Sequence, residues 1–244
     1  MIKLGVQLYT VRQSLTKDTF NQIKEIGYDT VQLFGAVELV ENCAIMAAEA
    51  GLEISGVLTD LDICEKDEEK IFQICKKYKI SDIGISSVLA DCKDIKNFTA
   101  RVNAFAQKAK EEGFSFSYHN HGHEFIKLHE NDTSMAYFMK NFNRENVCFM
   151  PDTYWIQDGG YDVRYFLDKT KGRVKIIHLK DIKRIETGHT FAEVGNGNLY
   201  MEGIIGIALN NGISHFIVEQ DVCEQDPVES LRISYKNIKK ILEN

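Results

Sequence analysis

The chain has 244 residues, 44% apolar and 27% charged, with a formal net charge of −7. This is the length of one α/β barrel of about 250 residues, and the acidic balance argues against a nucleic-acid partner. No apolar run reaches the ~18 residues of a membrane span, the amino-terminal MIKLGVQLYT opens as a strand rather than as a leader, and the six cysteines form no CxxC pair, so a cytoplasmic protein with reduced thiols and no membrane partner is expected.

Short β-rich runs alternate with longer amphipathic stretches along the chain. Strands are predicted at Lys3–Leu8, Thr30–Phe34, Glu53–Leu58, Asp82–Ile85, Ser115–His119, Val147–Met150, Lys175–His178 and His215–Glu219. Helices are predicted at Thr16–Ile26, Val37–Ala50, Glu68–Lys79, Lys96–Glu112, Thr133–Asn141 and Pro227–Glu243. Gly27, Gly51, Gly113 and Gly212 follow helical runs as carboxyl-terminal caps, and Asp226 before Pro227 reads as an N-cap. Eight strands alternating with helices imply parallel pairing through right-handed crossovers. The expected fold class is α/β, a single (β/α)8 TIM barrel over residues 1–244. An open doubly wound sheet is the second choice, because no GxGxxG follows the first strand.

Catalytic groups of such a barrel gather at the carboxyl ends of its strands. Strand one ends in QLYTVR, with Gln7, Tyr9 and Arg12; strand six in FMPDTYW, with Asp152, Tyr154 and Trp155. Strand seven ends in IIHLKD, with His178, Lys180 and Asp181, and strand eight in FIVEQD, with Glu219 and Asp221. Asp152, His178 and Glu219 stand at three neighbouring strand ends, and two carboxylates with one imidazole suit one divalent metal ion: Mn²⁺, Co²⁺, Zn²⁺ or Mg²⁺. Strand five ends in YHNHGHEF, whose histidines and glutamate offer a fourth ligand. By strand parity His119 and His121 share a face and Asn120 points away; His123, past Gly122, is expected at the surface.

These segments resemble the sugar isomerase/epimerase-like barrels of the xylose isomerase-like superfamily. GVQLYTVR, YHNHGHEF with its HNHxxEF pattern, DTYWIQDGG, HLKD, EVGNGNLYMEGII and FIVEQD carry the resemblance and span nearly the whole chain. It implies a divalent cation held by Asp152, His178, Glu219 and a strand-five group. Many relatives end strand five with a glutamate where this chain has His119, so the fourth ligand is Glu124, with His119 as the alternative. Gln32 stands where a glutamate is frequent, and Thr59 or Asp60 where many relatives place a histidine.

The activity implied is isomerisation or epimerisation of a small sugar or ketosugar by proton abstraction next to a carbonyl. A lyase or dehydratase of an inosose or 3-keto-sugar and a non-catalytic sugar-binding barrel are the alternatives. Glu219, with Glu124 and His119, is the catalytic candidate. His121, Lys180, Tyr9 and Trp155 are the substrate-binding candidates, Lys180 being equally suited to a structural ion pair. The superfamily's DNA-cleaving branch needs more metal ligands and a basic groove. A homo-oligomer would be in keeping with the family. Around Gly195 and Gly197, Asn198 is expected to cap the helix near Met201, backbone N–H groups are open to an anion, and residues 182–190 form a candidate lid.

Overall fold

The computed structural model describes residues 2–129 and 132–243. Eight parallel strands form the barrel: β1 (Lys3–Gln7), β2 (Thr30–Phe34), β3 (Glu53–Asp60), β4 (Asp82–Ser86), β5 (Ser115–His119), β6 (Val147–Met150), β7 (Ile176–Leu179) and β8 (His215–Val218). Pairing runs continuously from β6 through β5, β4, β3, β2, β1 and β8 to β7. The last seam, β6 to β7, closes through two isolated parallel bridges, Phe149 with Val174 and Asp152 with His178.

The strands read as unbroken apolar runs because both faces are covered, one by helices and one by the barrel interior. Val147–Met150 is the clearest case: Phe149 packs outward against Phe142 and Phe166, while Met150 joins Ile176 and Ile217 in a separate interior cluster. Gly5 makes room for that cluster, since a Cβ there would meet Ile217 Cδ1 at 2.6 Å. The surrounding helices keep the predicted positions to within one residue at most ends, with Thr16, Thr133 and Asp226 accepting backbone N–H bonds at their starts.

Three expectations are corrected. Residues 182–190 belong to an antiparallel hairpin, Asp181–Ile185 with Gly188–Ala192, rather than to a loop. Asn198 caps no helix: its Oδ1 accepts from Arg184 N, and the helix Met201–Asn210 begins with no side-chain cap. The backbone N–H groups of Gly195 and Gly197 are already taken by Asp181 Oδ2, at 2.9 and 3.1 Å. None of the six cysteines forms a disulfide: Cys43, Cys64, Cys75 and Cys92 are buried, and Cys148 and Cys223 are half-buried. Among the described residues no helix is long and apolar enough to cross a membrane.

The barrel floor holds one buried acid away from the strand ends that carry the site. Asp82, at the start of β4, accepts 2.6 Å bonds from Ser117 Oγ, yet burial pushes its carboxyl up to about 6. A folded-state pKa above the unfolded one gives a contribution that is full below pH ~4 and lost as the pH rises through ~6; two pKa units correspond to about 3 kcal/mol. Denaturant titrations between pH 4.5 and 7.5 are therefore expected to show Asp82→Asn gaining stability relative to the wild type as the pH rises, by up to about that amount. An unchanged difference would count against this account.

Candidate active site

The closing seam builds the site. Pro151 has no N–H and ends the β6 ladder, but its carbonyl accepts from His178 N at 2.9 Å. Asn120 Oδ1 accepts from Asp152 N at 3.0 Å, and Thr153 Oγ1 both donates to Lys180 O and accepts from Lys180 N. These bonds hold the ends of β5, β6 and β7 in one register. Asn120 thus points away from the cleft and into the seam.

Four ligand-capable atoms converge there. His119, Asp152, His178 and Glu219 each offer one atom, all within 4.8 Å of one another, and all four residues are buried. His178 Nδ1 lies 2.9 Å from Glu219 Oε2 and 3.0 Å from His119 Nε2; His119 Nε2 lies 3.5 Å from Asp152 Oδ2. Asp152 uses Oδ1 to cap the helix Thr153–Asp158 through Trp155 N, whereas its Oδ2 is buried with no hydrogen-bond partner.

Glu124 lies elsewhere. Beyond Gly122 the chain leaves the strand for a single 3-10 turn, His123–Phe125, which swings Glu124 behind β5. There its carboxylate is fully buried and accepts from Ser87 Oγ, Tyr118 OH and His121 N at 2.8–3.0 Å. Burial still pushes it up to about 7 against those donors. Glu124 groups with His121 and His123 instead, and the four-residue convergence takes His119 in its place. His123 is half-buried rather than at the surface, with Nε2 3.1 Å from Ser87 Oγ.

Lys180 is 2% exposed and reaches three carboxylates: Asp221 at 2.6 Å, Glu219 at 3.4 Å and Asp152 at 3.5 Å. Burial disfavours its ammonium, but the three acids outweigh burial and hold its pKa above the ordinary lysine range. Burial raises Glu219, yet Lys180 and the two histidines outweigh it and hold its carboxyl below the usual range. Burial and the neighbouring His178 put His119 well below the usual imidazole range, and burial with His119 pushes His121 down to about 3. Burial raises Asp221 to about 6.

A cleft of ≈ 480 Å³ opens above these groups. His119, His121, Lys180 and Glu219 form its floor with Gln7, and Tyr9, Trp155 and Thr59 stand among its walls. Tyr9 carries Arg12 over its ring at 4.1 Å, and Arg12 also donates to Asp221 O, tying the loops after β1 and β8 together. Tyr154 faces the hairpin, stacked on Phe191 at 4.3 Å, and leaves the aromatic wall to Trp155. Gln7 and Gln32, which sequence reasoning gave no role at the site, are fully buried beneath His178. Their signal was two amides at the ends of apolar strands.

The profile of the Xylose isomerase-like TIM barrel family matches residues 20–241. The chain belongs to that family. Among solved structures, this xylose isomerase-like barrel is similar to a sugar phosphate isomerase/epimerase from Parabacteroides distasonis ATCC 8503, with 21% identity, TM-score 0.79, 98% of this chain and 94% of that one covered. It is also similar to the 3-keto-D-glucoside 4-epimerase of E. coli (14%, TM-score 0.70, both chains fully covered). A third is the probable 3-DHS dehydratase of Bacillus anthracis (16%, TM-score 0.75, 98% and 99% covered). At these identities the likeness speaks to the fold. No curated protein matches the sequence.

The place of Glu124 makes a prediction. Glu124→Ala removes the buried acceptor shared by Ser87, Tyr118 and His121 N and is expected to destabilise the barrel by about 3 kcal/mol in denaturant titrations, while Glu124→Gln, which mimics the neutral acid, costs much less. Metal bound per folded chain should stay unchanged in both; a selective loss of metal in Glu124→Gln would return Glu124 to the ligand set.

Proposed function

We propose that this barrel is a divalent-metal-dependent isomerase or epimerase of a small sugar or ketosugar, moving the proton on the carbon next to a carbonyl. The observation that carries the reading is the convergence of His119, Asp152, His178 and Glu219 at the base of an open cleft. Two features fit a cation there. Asp152 Oδ2 is a buried acceptor without a hydrogen-bond partner. Around Lys180, three carboxylates against one ammonium leave two formal negative charges, which a divalent ion balances. Two imidazoles beside two carboxylates favour Mn²⁺, Co²⁺ or Zn²⁺ over Mg²⁺, which prefers oxygen ligands.

Asp152, His178 and Glu219 would hold the ion, with His119 Nε2 as the fourth donor. When bound, the ion polarises the carbonyl and stabilises the developing enediolate charge. Glu219, kept ionised by the Lys180 ammonium at 3.4 Å, is the group to accept the proton from carbon. Where its Nε2 does not serve as the fourth donor, the neutral His119 imidazole faces the same space and is the second group able to carry a proton. His121 donates or accepts as a neutral imidazole toward a substrate hydroxyl, and Trp155 and Tyr9 supply flat apolar walls for a sugar ring. Lys180 is held by Asp221 at the cleft floor, where its ammonium is placed to meet an oxygen of a bound sugar.

His119 at the end of β5, in place of a carboxylate, favours one second reading. In that reading the proton that Glu219 takes from carbon is passed on, with the neutral His119 imidazole as relay, to the departing β-hydroxyl, which leaves as water.

Metal analysis of the purified protein is the test. About one divalent ion per chain is expected in the wild type, with most of it lost in His178→Ala and Glu219→Ala. Incubating the metal-loaded protein with ketosugars should yield an isomer of unchanged mass, and Glu219→Gln should slow it by about 10²–10⁴-fold. Loss of water would select the dehydratase. Sugar binding without turnover or metal would leave a binding barrel.

A further inference from the structure

A chain of buried polar contacts lies under the site, and its direction is fixed by one backbone group. Tyr9 N can only donate, and it donates to Gln7 Oε1 at 3.3 Å. The Gln7 amide is thereby oriented, and its Nε2 faces Gln32 Oε1 at 2.8 Å. The same Gln32 oxygen lies 2.6 Å from His178 Nε2. A carbonyl oxygen with two lone pairs accepts from both neighbours, so His178 carries its proton on Nε2. Reversing Gln32 would set its NH₂ against that of Gln7, and reversing both would set an NH₂ against the Tyr9 N–H. All three side chains are fully buried, so water offers no alternative partner.

The consequence falls on the other ring nitrogen. With Nε2 protonated, His178 Nδ1 presents a lone pair; His119 Nε2 can donate to it at 3.0 Å, whereas Glu219 Oε2 at 2.9 Å is a second lone-pair donor with no proton between them, the close pairing that two ligands of one cation make. His119 has no such anchor: its Nδ1 is buried without a partner, so nothing on that side selects its tautomer. We propose that Gln7 and Gln32 are positioning residues that lock His178 in the Nε2–H tautomer and so aim its Nδ1 lone pair into the site as a ready-made metal ligand. The part that concerns the metal rests on the function proposed above; the tautomer does not.

The lock is read directly by nitrogen-15 NMR of the histidine rings in chelator-treated protein, where a protonated and an unprotonated ring nitrogen differ widely in shift. The wild type is expected to show His178 protonated at Nε2 and bare at Nδ1. Gln32→Met keeps the length of the side chain and leaves only a weak acceptor; His178 is expected to move toward the Nδ1–H form, donating to Glu219. Gln7→Leu should move it in the same direction by less. Gln32→Glu restores a strong acceptor and should restore the Nε2–H form. Cobalt titration of the same proteins should show affinity falling about 10–100-fold in Gln32→Met and recovering in Gln32→Glu.

A wild-type His178 protonated at Nδ1, or at both nitrogens, overturns the proposal, and so does a Gln32→Met ring unchanged in tautomer. Should Gln32→Met not fold, the wild-type and Gln7→Leu spectra decide alone. An Nε2–H ring in a protein that takes up no metal upholds the lock and sinks the metal reading instead.

Discussion

The whole arrangement depends on how the barrel closes between β6 and β7. Seven seams are parallel ladders, that between β2 and β3 with a register shift at Val31/Gln32; the eighth is bridged only at Phe149–Val174 and Asp152–His178. Side chains supply what the ladder lacks: Asn120 bonds Asp152 N, Thr153 bonds both backbone groups of Lys180, and Arg173 reaches the Val147 carbonyl at 3.0 Å while stacking on Phe149. Two of the four convergent groups, Asp152 and His178, are themselves the bridge. Anything that binds both is therefore linked to barrel closure, because it binds the closed form and not an opened one.

Buried charge dominates the energetics of the site. An ammonium removed from water is tolerated only with partners at close range, and Lys180 has three. Such a network is costly to assemble and responds strongly to any added charge, the condition in which an incoming ion or a developing oxyanion is felt most. The knot around Glu124 has the opposite character. Its donors are paired, it lies off the cleft, and it fixes the turn that presents His121 beside His119, ring centroids 5.0 Å apart.

Much of this was legible in the chain. Val147–Met150 and Ser115–His119 read as strands because short apolar runs between turn residues admit little else, and Asp152, His178 and Glu219 could be placed because strand ends in a barrel share one rim. The choice between Glu124 and its alternative His119 could not be made from the chain, because a pattern of spacing does not reveal that the backbone leaves the extended state at Gly122. The hairpin Asp181–Ile185/Gly188–Ala192 was missed although its alternating residues and the glycine at its turn signal one. The part of Gln7 and Gln32 could not be read at all, since it depends on β1 pairing with β2 and on Gln32 meeting His178 of β7, a tertiary fact.

Asp181 changes what the glycine-rich loop is for. Its carboxylate accepts from the backbone N–H groups of Ile182, Gly195, Gly197 and Leu199, and a side chain at position 197 would collide with it. In many barrels the corresponding loops form a phosphate-binding site; here the anion is covalently part of the chain. The conformational entropy of that loop is spent during folding rather than at the moment of binding. A substrate therefore arrives at a rim that is already rigid on this side, and it needs no charge of its own to organise it.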